Sequence, residues 1–316
     1  MKTQELARPN AKADRARWWT YQKERFPLLA HGPLVLAFSS SAVCFSHLLR
    51  GENSWPEWRG LVVAFVTCLL FFLGLRIADE FKDFEEDSRY RPYRPVPRGL
   101  VTLRELGWIG VGAAAIQLAL AVFLAPFLII VLLAGWAYLA LMSHEFFARD
   151  WLKARPITYL WTHMFIMPIV DLYATACDWV PAGLKLPPNG LIWFLAASFF
   201  NGIVIEIGRK IRAPADEETG VQTYSVLWGR PTAVAAWLGV MTATATCAVL
   251  AATKIHFALP VAVATGTLLA AAAICAAGFL RASEPGGGRR FEVLAGLWTL
   301  VLYLSLGLAP LALRVL

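Results

Sequence analysis

The chain has 316 residues, 58% of them hydrophobic and only 16% charged, with a formal net charge of +7 and a mean hydropathy of +0.56. That apolar share is more than a soluble domain of this length needs for a core, and it excludes a disordered chain. The positive charge does not mark a nucleic-acid binder, because it is confined to short segments between long apolar runs, so no nucleic-acid partner is expected.

A helix needs roughly 20 mostly apolar residues to cross a hydrocarbon layer of about 30 Å. Runs of that kind occur near 27–49, 60–78, 104–123, 126–147, 157–176, 190–208, 231–252, 256–280 and 292–314. Uninterrupted runs, instead of short alternating ones, choose helices over a closed barrel. The expectation is therefore an all-α polytopic membrane protein, about nine transmembrane helices forming one domain over 1–316. The fifth run is the least regular, because His163 and Asp171 interrupt it.

Residues 1–26 are polar and basic (Lys2, Arg8, Lys12, Arg15, Arg17, Lys23, Arg25), with no apolar stretch of the kind that opens a cleavable signal peptide. Trp18, Trp19 and Tyr21 among them suggest a short helix lying on the membrane surface. Most of the 29 lysines and arginines fall in this segment and in the loops after the second, fourth, sixth and eighth runs. That bias predicts a cytoplasmic N-terminus and places those loops on the same side. Cys44, Cys68, Cys177, Cys247 and Cys275 lack metal-ligand spacing and read as packing residues.

After the second run comes Asp79-Glu80-Phe81-Lys82-Asp83-Phe84-Glu85-Glu86-Asp87. On a continued helix Asp79, Asp83 and Asp87 share one face with Glu86 beside them, an arrangement that is unfavourable without a cation. Mg²⁺ suits it, because this ion takes one or two carboxylates and completes its shell with water and phosphate oxygens. The competing reading is a solvated acidic loop balanced by nearby arginines. Its position at a membrane edge, where ionisable groups are costly, favours function.

The following stretch, from Arg89 through Arg91-Pro92-Tyr93-Arg94-Pro95 to Gly99, sets arginines in a proline-stiffened segment. Arginine suits phosphate recognition through paired donors. Carboxylates for a metal followed by arginines for an anion is the layout that a diphosphate–Mg²⁺ complex needs. A second charged loop, Glu206 to Arg230, follows the sixth run, and Gly286-Gly287-Gly288 reads as a flexible connector before the last one. Trp136, Tyr138, Trp161, Phe165, Trp193, Phe199 and Phe200 are candidates for an aromatic cavity lining that would favour a carbocation. His144, Glu145, His163 and Asp171 read as residues that hydrogen-bond between helices.

These motifs resemble the UbiA-type intramembrane prenyltransferases, nearest in pattern to the homogentisate branch. Asp79-x-x-x-Asp83-x-x-x-Asp87, then Arg91-Pro92-Tyr93-Arg94-Pro95 and Gly99, keep the spacing of that family's first motif, with Asp79 where Asn is usual. The resemblance implies nine helices around a central cavity, catalytic loops after the second and sixth helices, an isoprenyl diphosphate donor and a lipophilic acceptor, for example an aromatic one. It implies diphosphate binding by Lys153 and Arg155 behind Trp151, besides Arg91 and Arg94.

The second loop matches the family at Asp216, Gly220, Thr223, Tyr224, Ser225 and Gly229, but Arg209 and Arg212 stand where carboxylates are usual. The expected metal ligands are thus Asp79, Glu80, Asp83, Asp87, Glu206 and Asp216, with Asp79, Asp83, Asp87 and Asp216 catalytic. Arg209, Lys210 or Arg212 is expected to contact the diphosphate directly. Asp79-Glu80-x-x-Asp83 also resembles the aspartate-rich motif of class I terpene cyclases, which leaves a cyclase of the same superfamily as an alternative. A transporter or lipid-binding protein is a third reading, disfavoured because the charge clusters at two loops and not at mid-membrane.

Overall fold

The computed structural model describes residues 11–282 and 284–316, and all regular structure among them is helical. A surface helix, α1 (Ala11–Arg25), precedes the spans α2 (Leu28–Leu49) and α3 (Trp58–Lys82). A one-turn-plus helix, α4 (Phe84–Tyr90), leads to α5 (Leu103–Leu124) and α6 (Leu128–Ser143). A short α7 (Arg149–Lys153) precedes the fifth span, which is two helices meeting at Phe165, α8 (Pro156–Met164) and α9 (Ile166–Trp179). Next come α10 (Leu191–Gly208), the short α11 (Tyr224–Trp228), α12 (Arg230–Thr253), α13 (Ala258–Arg281), and the broken last span α14 (Arg289–Leu306) and α15 (Leu308–Val315).

Eight of these helical stretches are long and apolar enough to cross a membrane, and the ninth predicted run is the shorter apolar α6 of 16 residues. The protein is a multi-pass membrane protein. Lys2 and Arg8 of the basic N-terminal stretch lie outside the described residues.

Local chemistry explains where helices break. The fourth run was expected to continue to 147, but α6 stops at Ser143 because Glu145, Phe146 and Phe147 all adopt positive φ (51°, 52° and 57°). At Gly307 the last span bends against α2, and a Cβ there would lie 2.1 Å from the carbonyl oxygen of Ser41. Only glycine permits that approach. Thr102 and Glu105 form a capping box at the start of α5, which satisfies amides the helix leaves orphaned.

The apolar core is continuous through α2, α3, α6, α9 and α10, with a second cluster where α10 packs on α12, α13 and α14. Polar ties at one end join α1 and the basic loops after α3, α6 and α10. Arg25 of α1 donates to buried Glu80 of α3 at 2.5 Å, and Arg17 to Glu105 of α5 at 2.8 Å. Tyr93 and Glu218 meet at 3.4 Å, and Lys153 reaches Glu86. At the opposite end, Asp178 accepts from Ser46 (2.7 Å) and pairs with His47 (2.8 Å) and Arg50 (3.1 Å), fastening α9 to α2.

Candidate active site

The bundle encloses a cavity of about 430 Å³ that opens toward the basic end. Its inner walls are apolar, from Leu34, Val35 and Phe38 of α2, Phe72 of α3, and Ile166 and Met167 of α9. Tyr303 of α14 closes the inner end, its ring 4.9 Å edge-on from that of Phe38. Its hydroxyl donates to fully buried Asp171 at 2.7 Å. The outer rim is charged: Asp79, Lys82 and Asp83 from the end of α3 face Glu206, Arg209 and Lys210 from the end of α10.

A second chamber of about 430 Å³ adjoins the first and shares Asp83, Tyr159 and Lys210 with it. This one is polar and rich in cations, lined by Arg89, Arg149 and Lys153 together with Glu86, Glu145, Thr223 and Tyr224. Gly220 shapes its wall: φ there is +78°, and a Cβ would meet the Tyr90 ring at 2.4 Å. Thr223 caps α11 by accepting from the amide of Val226 at 3.2 Å, and Ser225 accepts from the amide of Arg212 at 2.9 Å. Those two hydroxyls hold the second loop in place. Burial raises the Tyr224 phenol above its ordinary value, so it stays a donor toward the chamber.

The carboxylates of the first motif separate into different tasks. Backbone bonds continue from Asp79 through Asp83 to Asp87 at 2.9 and 2.8 Å, yet the helix kinks at Asp83, where φ and ψ are −95° and 4°. Asp79 and Asp83 line the cavity rim. Asp87 is instead buried and pairs with Arg91 (3.2 Å) and Arg94 (2.5 Å), a geometry set by the turn that Pro92 and Pro95 impose. The expected common face of three aspartates is thus a pair. Glu80 is also turned away, buried against Arg25, and Glu86 is taken by Lys153 and Arg149. The hydrogen bond from Lys153 holds the Glu86 carboxyl below the usual carboxylate range.

The second motif departs further from expectation. Glu206 reaches the rim, but Arg209 (2.5 Å) and Lys210 (2.8 Å) already neutralise it. Asp216 is in neither chamber; its carboxylate accepts from the amide of Gly286. Arg212 donates to Glu218 at 3.1 Å, and with Arg91 and Arg94 it lines a separate surface cleft. Arg155 stacks 4.5 Å over Trp151 and donates to that residue's carbonyl, so it reaches neither chamber. The attraction of a nearby ring or counter-charge has, in each case, won over the cavity.

Nor do the expected aromatic residues line the cavity. Trp161 and Phe165 are about half exposed on the outer face (50% each), and Trp136 donates to Gln117 instead. Tyr159, His163, Ile166 and Met167 carry the inward face of that span, at the 4-3-1 intervals of a helix side. A helical-period reading of 159–167 identifies that face; nothing in local spacing singles out Arg89, Arg149 or Glu145.

Glu145 closes the seam between the chambers. Its carboxylate accepts from the Tyr159 hydroxyl at 3.0 Å and lies 3.5 Å from the Lys82 ammonium and 3.2 Å from the His163 ring. Burial opposes its charge, but His163, Lys82 and Tyr159 outweigh that and hold the carboxyl down at about 2.

Among the described residues no three His, Cys, Asp or Glu form a ready metal cage. Asp79 and Asp83 do fit Mg²⁺, which needs only one or two carboxylates when phosphate oxygens and water complete its shell. Asp83 supports that fit. Burial raises its carboxyl above the ordinary value, Lys82 offsets this in part, and Asp79, Asp87 and Glu86 add to it. Asp79 itself pairs with Arg76 at 3.5 Å.

Comparison with known proteins agrees with this architecture. The profile of the UbiA prenyltransferase family matches residues 39–300. The chain is 28% identical over 197 residues to a digeranylgeranylglyceryl phosphate synthase of Thermococcus gammatolerans, a match that covers 61% of this chain. It spans 66% of that relative's length, just under two thirds. In structure the chain is similar to a UbiA homolog from Aeropyrum pernix, with a TM-score of 0.66, 15% identity and 90% of this chain and 98% of the other covered. It is also similar to a UbiA homolog from Archaeoglobus fulgidus bound to DMAPP and Mg²⁺, with a TM-score of 0.53, 14% identity and 90% and 98% covered.

Proposed function

The chain belongs to the UbiA prenyltransferase family, and on that premise we propose that it transfers an isoprenyl group from an isoprenyl diphosphate to a lipophilic acceptor within the bilayer, dependent on Mg²⁺. The observation that carries this reading is the seam. An apolar chamber suited to a prenyl tail meets a cationic chamber suited to a diphosphate at Asp83, Tyr159 and Lys210. A substrate with both parts would lie with its scissile C–O bond at that seam. By the charge bias of the loops, the chambers open toward the cytoplasm.

Asp79 and Asp83 are the residues that would hold Mg²⁺, and the ion when bound supplies charge neutralisation for the leaving diphosphate. Lys210, Lys153, Arg149 and Arg89 would receive the diphosphate oxygens, as preorganised donors to a charge that grows in the transition state. Phe38 and Phe72 line the apolar chamber, where aromatic rings would favour developing positive charge. The Archaeoglobus homolog bound to DMAPP and Mg²⁺ supports the donor and the ion. The Thermococcus relative, named for making a prenylated lipid, supports a lipophilic acceptor.

Purified protein in detergent, given Mg²⁺ and prenyl diphosphates of several lengths, tests the reading. Diphosphate release together with a prenylated product, by mass spectrometry with candidate acceptors, is expected. A cyclic hydrocarbon formed without acceptor replaces the transferase by the cyclase; no diphosphate release under any condition sinks both.

A further inference from the structure

Alkylation of an acceptor O–H or aromatic C–H by an allylic diphosphate releases one proton, and no residue described so far has been assigned to receive it. The strained turn at 145–147 points to what does. Three consecutive non-glycine residues in left-handed conformation, Glu145, Phe146 and Phe147, each cost on the order of 1 kcal/mol or more and persist only where surrounding structure enforces them. What this turn achieves is to carry the Glu145 carboxylate, 4% exposed, onto His163 of α8, 6% exposed.

The hydrogen-bond accounting of that pair leaves room for a proton. Imidazole Nδ1 of His163 lies 2.8 Å from the carbonyl oxygen of Tyr159, an atom that can only accept. In the neutral ring Nδ1 therefore carries the proton and Nε2 a lone pair, and protonation at Nε2 forms the ion pair with Glu145. Nε2 in turn lies 3.2 Å from Oε2 of Glu145, and neither atom has a hydrogen-bond partner. Two buried acceptors face each other, and a proton taken up between them would satisfy both. The ring is fixed for the task, stacked on Tyr159 at 3.8 Å with 11° between planes. His163 lines the apolar chamber, Glu145 the polar one and Tyr159 both. The charged groups around the pair are Asp79, Lys82 and Asp83 from the end of α3 and, across the seam from the end of α10, Glu206, Arg209 and Lys210.

We propose that His163, held by Glu145, takes the proton released when the acceptor is alkylated. The assignment rests on the prenyl-transfer reading above. The acceptor's electron pair forms a bond to C1 of the prenyl group, and the C1–O bond breaks with its pair leaving on the diphosphate. The acceptor's O–H or aromatic C–H proton passes to Nε2, and the new N–H donates to Glu145. A cyclising reaction sheds its final proton to the same atom.

The test measures diphosphate release and prenylated product separately in full-length His163→Ala. Loss of a general base predicts product down about 10²-fold, with diphosphate release within about threefold of wild type and prenyl alcohol accumulating instead. The acidic limb of the kcat–pH profile disappears, and added imidazole restores product. Product and release falling together, with no imidazole rescue, overturns the proposal. Glu145→Gln gives a second reading if His163→Ala does not fold: the acidic limb moves to lower pH because the imidazolium loses its counter-charge, and an unmoved limb overturns the proposal equally. Wild-type protein that releases no diphosphate from any prenyl donor defeats the prenyl-transfer reading instead.

Discussion

Both carboxylate oxygens of Asp216 accept from the backbone amide of Gly286, at 3.0 and 2.8 Å. The pairing joins the loop after α10 to the connector before α14, and it keeps this aspartate out of both chambers. Asp216→Ala is therefore expected to lower the melting temperature by about 2–4 °C, the equivalent of about 1 kcal/mol in a chain of this size. The Mg²⁺ concentration for half-maximal rate should be unchanged. A thermal melt and a Mg²⁺ titration check the two halves.

Asp83 and Asp87 are one turn apart and predict opposite phenotypes. Asp83→Asn removes a rim carboxylate and is expected to cut Mg²⁺-dependent diphosphate release by about 10²-fold or more while leaving the fold intact. Asp87→Asn leaves Arg91 and Arg94 without their shared counter-ion, which costs stability of up to about 3 kcal/mol. Its Mg²⁺ requirement should match wild type. Activity assays paired with melting curves separate the two.

If the prenyl-transfer proposal holds, Glu86 competes with substrate. Its carboxylate occupies Lys153 and Arg149 in the chamber assigned to the diphosphate. Glu86→Gln is expected to free both cations and lower the KM for prenyl diphosphate by about threefold to tenfold, with kcat unchanged or reduced through slower product release. Steady-state kinetics at two salt concentrations check it, because the gain should shrink as salt rises.

Acid stability should depend on Glu145. Its folded-state value, about 2, lies below the ordinary value of about 4.3. A depressed carboxylate adds stability at any pH above the unfolded value and loses it as pH falls through the folded one. Its contribution is thus constant from pH 7 to 5 and disappears between about 4 and 2. Melting temperatures in detergent from pH 7 to 3 should fall less steeply in Glu145→Gln than in wild type.

Tyr303 holds the inner end of the cavity through its hydroxyl. Tyr303→Phe keeps the ring but strips buried Asp171 of its donor, since Asp171 Oδ1 already lacks a partner. A loss of about 1–3 kcal/mol is expected, and Asp171→Asn in the same chain should recover part of it. Comparing melting temperatures of the two single variants and the double variant measures the coupling.

The spans were legible because lipid tolerates no exposed backbone, so each crossing writes a long apolar run and each loop a cluster of charge. Asp79 and Asp83 were legible for a local reason: their spacing matches a helical turn. Asp87 follows the same spacing but is claimed by two arginines beyond a pair of prolines, and that competition is tertiary. Glu145 and His163 lie 18 positions apart, one in the turn after α6 and the other on α8, and only that left-handed turn brings them together. The inward face of α8 and α9 was half legible. Trp161 and Phe165 drew attention as aromatics, while the chamber is lined by the neighbouring Tyr159, His163 and Met167.

One short helix has a consequence for the surrounding lipid. The 16 residues of α6 rise only about 24 Å, against a hydrocarbon thickness of about 30 Å. Met142, near the truncated end of α6, lines the apolar chamber. Local thinning of the bilayer beside α6 would match that length and draw headgroups and their water toward this flank. A lipid-dissolved molecule with a polar head approaching along this side meets the chamber at the depth of the local interface. It would then cross less hydrocarbon on that flank than beside a full-length span.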